Sequence, residues 1–132
     1  MATDYKKKTN KSYVYFNKKG ELKVIVKLQN LIEYIYLMIK KFPKDEMLNL
    51  ASDMKAAAFS AMESLIYAKV TNSNKQKILY ITSAEAKLNI LNILVRLAKK
   101  NKFITQRNYN VWSFKITEIS DMLRKWRSFC QK

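Results

Sequence analysis

Apolar residues return every third or fourth position along most of this chain, and almost nothing interrupts that rhythm. The clearest stretch lies near the end, where Tyr109, Trp112, Ile116, Ile119, Leu123, Trp126 and Cys130 alternate by three and four throughout. Such spacing puts the residues on one face of a helix. The residues that stop or bend helices are nearly missing, with one glycine (Gly20) and one proline (Pro43) in 132 residues. A chain of this pattern folds as packed helices. Its length suits one domain with a modest core, and 48% hydrophobic with 27% charged residues is a globular rather than a disordered composition.

The breaks in the rhythm divide the chain. Residues 1–20 form a basic N-terminal arm, flexible or a short strand, with Lys6, Lys7, Lys8, Lys11, Lys18 and Lys19 against Asp4 alone. Leu22, Ile25, Ile32, Ile35 and Ile39 then predict a first helix over about 21–41. Pro43 stops it or opens the next, and Asp45 and Glu46 suit a helix N-terminus, predicting a second helix over about 44–70. Met47, Leu50, Met54, Ala57, Ala61, Leu65 and Ala68 mark its buried stripe, and the small residues near Ala58 permit a close helix crossing. A turn at residues 71–74, with Ser73 or Asn74 as cap, leads to a third helix over about 74–101. Phe103, Ile104 and Thr105 connect to a fourth over about 105–130, Thr105 being its cap. Four helices with short loops predict an all-α, antiparallel up-down four-helix bundle over 21–132.

The third helix is apolar on nearly every side, with no charge between Lys87 and Arg96. A helix of that kind must be covered on every side. One face of a bundle helix normally stays wet, so the surplus apolar surface predicts a homo-oligomer. No apolar run approaches the ~20 residues of a membrane span, and the N-terminal apolar stretch is too short for a signal peptide. With a single cysteine, Cys130, no intramolecular disulfide can form, and the expected location is the cytoplasm.

Over this helical pattern lies a net charge of +16. Ordinary solubility needs only ~2–8 charges on a small domain, so the excess points to a polyanionic partner. Between Ser64 and Thr117 the only acid is Glu85, and after Asp121 there is none. The candidate phosphate contacts are therefore Arg96, Lys99, Lys100, Lys102 and Arg107 around the third helix and its loop. To these are added Arg124, Lys125 and Arg127 near the end, and Lys6, Lys7 and Lys8 on the arm. Trp112 and Trp126 lie on the regular apolar stripe and are expected in the core or at an interface rather than as base-stacking platforms.

The same inventory argues against an enzyme. No histidine is present, which removes the usual general base, the commonest zinc ligand and the His-containing motif of helical RNases of the HEPN type. A single glycine allows no glycine-rich phosphate loop. The acids are scattered; Asp121 is expected to pair with Lys125 at i,i+4. No catalytic residue, metal or cofactor is expected.

Tyr80-Ile81-Thr82-Ser83-Ala84-Glu85-Ala86-Lys87-Leu88, continuing through Leu91 to Val95-Arg96-Leu97-Ala98, and Ile119-Ser120-Asp121-Met122-Leu123-Arg124-Lys125-Trp126 resemble the accessory variability proteins of diversity-generating retroelements. Those proteins form a branch of the four-helix-bundle superfamily that includes the 23S rRNA intervening-sequence proteins. The Lys41-Phe42-Pro43-Lys44 junction resembles the superfamily's first interhelical turn, and the likeness covers about 21–130. Arg124 and Lys125 stand where the accessory branch typically has a glycine pair, and Asn92 where it often has an arginine, while Arg96 is kept. Ser64-Leu65-Ile66-Tyr67-Ala68 is closer to this branch than to the intervening-sequence proteins. The resemblance implies a homopentameric barrel of bundles, binding to RNA or DNA with little sequence preference, and association with the element's reverse transcriptase during mutagenic cDNA synthesis. Two other readings stay open: an rRNA-associated bundle of the intervening-sequence type, and a basic module that meets an acidic protein.

Overall fold

The computed structural model describes residues 18–131, all of them in helices or their connections. Helix α1 spans Lys18–Ile39, α2 Leu50–Val70, α3 Asn74–Lys100 and α4 Gln106–Cys130, with a 3-10 turn at Lys44–Glu46. Each helix packs on the next in sequence and α1 closes on α4, so the helices form a four-helix bundle with α2 and α3 in the most extensive contact. No strand occurs among the described residues. The residues assigned above to the N-terminal arm, Lys6, Lys7 and Lys8 among them, lie outside the described residues except for the last three, which belong to α1.

Local chemistry accounts for most helix ends. Ser73 Oγ accepts a hydrogen bond from the Gln76 backbone N–H at 3.2 Å, and Thr105 Oγ1 does the same for Asn108 at 3.1 Å. Each satisfies one of the amide donors left open at a helix start. The second helix begins later than the acidic residues after Pro43 predict. The backbone instead makes one 3-10 turn, with the Glu46 N–H on the Pro43 carbonyl at 3.0 Å and that of Met47 on Lys44 at 3.2 Å. Asn49, at φ −113° and ψ −101°, then breaks it from α2. Met47 therefore leaves the buried stripe, and Leu48 is 90% exposed.

The core is one layer of side chains from all four inward faces. In α1 it is Val24, Leu28, Leu31, Ile35 and Met38 that point inward, a run at fours and threes. Leu22 lies on the outer face at 54% exposure, and Ile25 and Ile32 flank the core. In α2 the small residues Ala51, Ala58, Ala61 and Ala68 are buried, as are Ala84 and Ala98 in α3; missing side-chain bulk is what lets these two helices approach closely. Trp112 and Trp126 are fully buried, with Tyr34 edge-on to Trp112 at 5.8 Å between centroids. Burial raises the Tyr34 phenol above its usual range.

Helix α3 is long and apolar enough to cross a membrane by length and composition, a property that counting unbroken apolar runs misses. Its inward face supplies Ile81, Ala84, Leu88, Leu91, Val95 and Ala98 to the core. Its outer face carries Leu79, Ile90, Ile93 and Leu97, each 41–58% exposed.

One polar knot is built into the bundle end that holds the end of α4. Lys77 Nζ donates to the Ala68 carbonyl in the last turn of α2 at 2.6 Å, lies 3.5 Å from Glu21 Oε2, and stands 6.0 Å above the Trp126 ring. It thus ties α1, α2, α3 and α4 together. Cys130 lies nearby, and burial pushes its thiol up; the Lys77 charge opposes this and the Glu21 charge adds to it. Replacing Lys77→Met keeps the aliphatic stem but leaves the buried Glu21 carboxylate and the Ala68 carbonyl unpartnered. We expect a loss of about 1–3 kcal/mol, read as a lower urea midpoint at unchanged m-value; an unchanged midpoint would show that water replaces the knot without cost.

Candidate nucleic-acid interface

The bundle has two poles, and the predicted cations divide between them. Arg124, Lys125 and Arg127 sit near the end of α4, at the pole of the Lys77 knot, whereas Lys99, Lys100, Lys102 and Arg107 surround the α3–α4 loop at the other. The poles differ in what their acids do. Arg127 lies against Glu85 through two hydrogen bonds, Nε to Oε1 at 2.8 Å and Nη2 to Oε2 at 3.2 Å. Hydrogen bonding to Glu85 holds the Arg127 guanidinium protonated beyond its already high range. Arg124 pairs with Asp121 at i,i+3, so the partner of Asp121 is Arg124 and not the Lys125 that i,i+4 spacing predicts. Lys27 pairs with Glu118 at 3.2 Å in mid-bundle. Among the described residues, no acid pairs with Lys99, Lys100, Lys102 or Arg107.

The loop at that unpaired pole has a defined shape. The Phe103 N–H reaches back to the Ala98 carbonyl and the Lys102 N–H to the Lys99 carbonyl, both at 2.9 Å. This pair of hydrogen bonds closes a Schellman C-cap. Its left-handed position, usually glycine, is filled by Lys102 at φ 63°. Phe103 then packs on Phe42 with centroids 5.4 Å apart, and Ile104 is buried, so the loop is anchored from below while Lys100, Lys102 and Arg107 remain exposed.

Beside the loop, in the groove between α3 and α4, Lys99 Nζ stands 4.8 Å above the Tyr109 ring. The Ser113 hydroxyl, and after it the Arg96 guanidinium, hydrogen-bond the Tyr109 phenol and lower its pKa, with the Arg96 and Lys99 charges adding to the effect. Ser113 Oγ also lies 3.4 Å from Asn92 Oδ1, so its single proton serves either Asn92 or the Tyr109 oxygen. Arg96, Lys99, Tyr109 and Ser113 therefore present two cations and two hydroxyls along one groove, a set of donors suited to phosphate oxygens. Tyr109 and Ser113 are missed by sequence reasoning, which assigns Tyr109 to the apolar stripe; their meeting with Arg96 depends on how α4 packs on α3. Among the described residues no cluster of acids and cysteine could hold a metal ion.

The sequence model of the bAvd-like family matches residues 23–130, reaching into all four helices. The chain belongs to the bAvd-like family. The name denotes the bacterial accessory variability determinant, in agreement with the accessory-variability resemblance read from α3 and α4. Membership in the bAvd-like family supports an accessory role at family level, and the family is generally non-catalytic. Comparison with curated proteins and with solved structures finds no match.

Two measurements probe this bAvd-like site. Lys102→Gly removes the left-handed cost of a side chain at the cap, partly offset by glycine's greater entropy when unfolded, and should stabilise the bundle by about 0.5–1 kcal/mol; a lower Tm would refute the strained-cap account. Alkaline ultraviolet titration should show a tyrosine ionising below the usual ~10 that vanishes in Tyr109→Phe. Because the folded pKa is depressed, its stabilisation is full only above the unfolded value and is lost as pH falls through the folded one. The stability gap between the parent and Tyr109→Phe should therefore be smaller at neutral pH than in alkali.

Proposed function

We propose that this bAvd-like chain is a non-enzymatic accessory subunit of a retroelement reverse transcriptase that binds RNA or DNA backbones with little sequence preference. It works in the cytoplasm as a homo-oligomer, a pentamer as the family resemblance implies, and uses no cofactor. The observation that carries the nucleic-acid reading is the cluster of cations without an acidic partner at the α3–α4 loop. Phosphate contacts made by such groups fix position on the backbone without reading bases. The outer stripe of Leu79, Ile90, Ile93 and Leu97 on α3 supports the oligomer, because side chains this apolar gain from being covered by a second copy.

Binding of fluorescent RNA, DNA and hybrid duplexes over a salt series tests the first part. The triple charge reversal of Lys99, Lys100 and Lys102 to Glu should weaken binding almost equally for all sequences. On duplex DNA the log–log salt slope should fall by about 0.9 for every phosphate that the variant no longer neutralises. Unchanged affinity with intact helicity would remove the loop from the interface. For the assembly, light scattering of Ile90→Lys with Ile93→Lys should give the monomer mass where the parent gives a multiple of it; a monomeric parent at micromolar concentration rejects the oligomer.

A further inference from the structure

The α1–α2 junction, far from residues 99–107 in sequence, is held at the same pole by Phe42 against Phe103, 5.4 Å between ring centroids. Phe42 is itself buried in the core. The junction carries Lys40, Lys41 and Lys44, all exposed, and among the described residues none of the three has an acidic partner. Asp45 and Glu46 follow directly in the 3-10 turn, so the junction combines three cations open to a ligand with two acids close enough to oppose a phosphate chain.

We propose that Lys40, Lys41 and Lys44 form the second half of the nucleic-acid surface, continuing the phosphate track of the α3–α4 loop across the Phe42 and Phe103 pair. This inference rests on the nucleic-acid reading above and extends it to a second loop. A backbone laid over the pole meets lysines from both loops at once, because the aromatic pair fixes one loop beside the other. The partner is a nucleic-acid strand rather than a compact anion: the cations are spread over two exposed loops, and a chain of regularly spaced phosphates can follow them where a single phosphate would meet only one. Asp45 and Glu46 set a limit on affinity at this point, since a phosphate passing the junction is repelled at short range, within the screening length.

The test uses the full chain and fluorescent DNA and RNA duplexes of equal length, with poly-L-glutamate as a non-nucleic polyanion. Replacing Lys40, Lys41 and Lys44 by Ala should weaken binding and lower the DNA salt slope by about 0.9 for each phosphate released, whereas Lys75→Ala at the opposite pole should not. Asp45→Asn with Glu46→Gln should tighten binding severalfold at low salt, a gain that damage to the fold does not produce. If the parent binds nucleic acid while the lysine and acid variants bind as it does, the junction lies outside the interface and this inference falls, leaving the proposed function standing. If the parent binds poly-L-glutamate but no nucleic acid, both fall.

Discussion

Ten acidic side chains share this chain with 26 basic ones, so the position of each acid decides which cations keep their field. An acid placed about 3 Å from a cation turns a charge into a dipole whose effect fades within a few ångström, while unpaired exposed charges still add over a Debye length of ~8 Å. Glu21, Glu85 and Asp121 pair with Lys77, Arg127 and Arg124, all toward the pole where α4 ends. The first two pairs tie helices together, the third lies within α4, and each turns a cation there into half of an ion pair. The α3–α4 loop keeps Lys99, Lys100, Lys102 and Arg107 without an acidic partner.

Packing turns the loop's cations into a shaped surface. The alanines of α2 and α3 let the two helices close, Trp112 and Trp126 fill the core toward the two ends of α4, and Phe42 and Phe103 join the two loops at one end. The apolar outer stripe of α3 runs toward the same end, Leu97 being three residues from its last helical residue, Lys100. Copies meeting along that stripe would bring their unpaired lysines near one another. Assembly would then work against charge repulsion, which a bound phosphate chain relieves. If both proposals hold, oligomerisation and polyanion binding would be coupled by this geometry, and salt would weaken the second while easing the first.

Much of the fold is legible in the sequence because α4 has one dominant period, and α3 and α4 both start at side-chain caps, Ser73 and Thr105, where local hydrogen bonding decides the start. The first half is harder. α1 carries apolar residues on two faces, Leu22, Val26 and Leu37 outside against Val24, Leu28 and Leu31 inside, so a 3.6 period fits either. Proline followed by acids describes the opening of a 3-10 turn as well as that of an α-helix, and the break at Asn49 is a matter of backbone angles. The site divides in the same way. Contiguous lysines at 99, 100 and 102 announce themselves, but pairing does not. Glu85 and Arg127 are 42 residues apart and Glu21 and Lys77 are 56 apart, so only the packed bundle shows that the second basic cluster is largely neutralised.

Local physics accounts for some of the unpaired cations and fails for others, and the failures carry information. Lys99 and Lys100 occupy the last turn of α3, where the helix dipole favours positive charge. Lys102 has no such support for its backbone: glycine would take φ 63° without the cost a side chain imposes. Arg107 stands in the first turn of α4, where the dipole favours an anion, and no acid shares that turn. Two cations a few residues apart thus sit against local preference, on a loop anchored by Phe103 and Ile104. Sites that break local rules without a packing gain are where function is expected to offset the loss. Charge serving solubility alone could have been placed at less cost elsewhere, which is why this loop, and not the basic composition as a whole, is the strongest argument for a phosphate-binding pole.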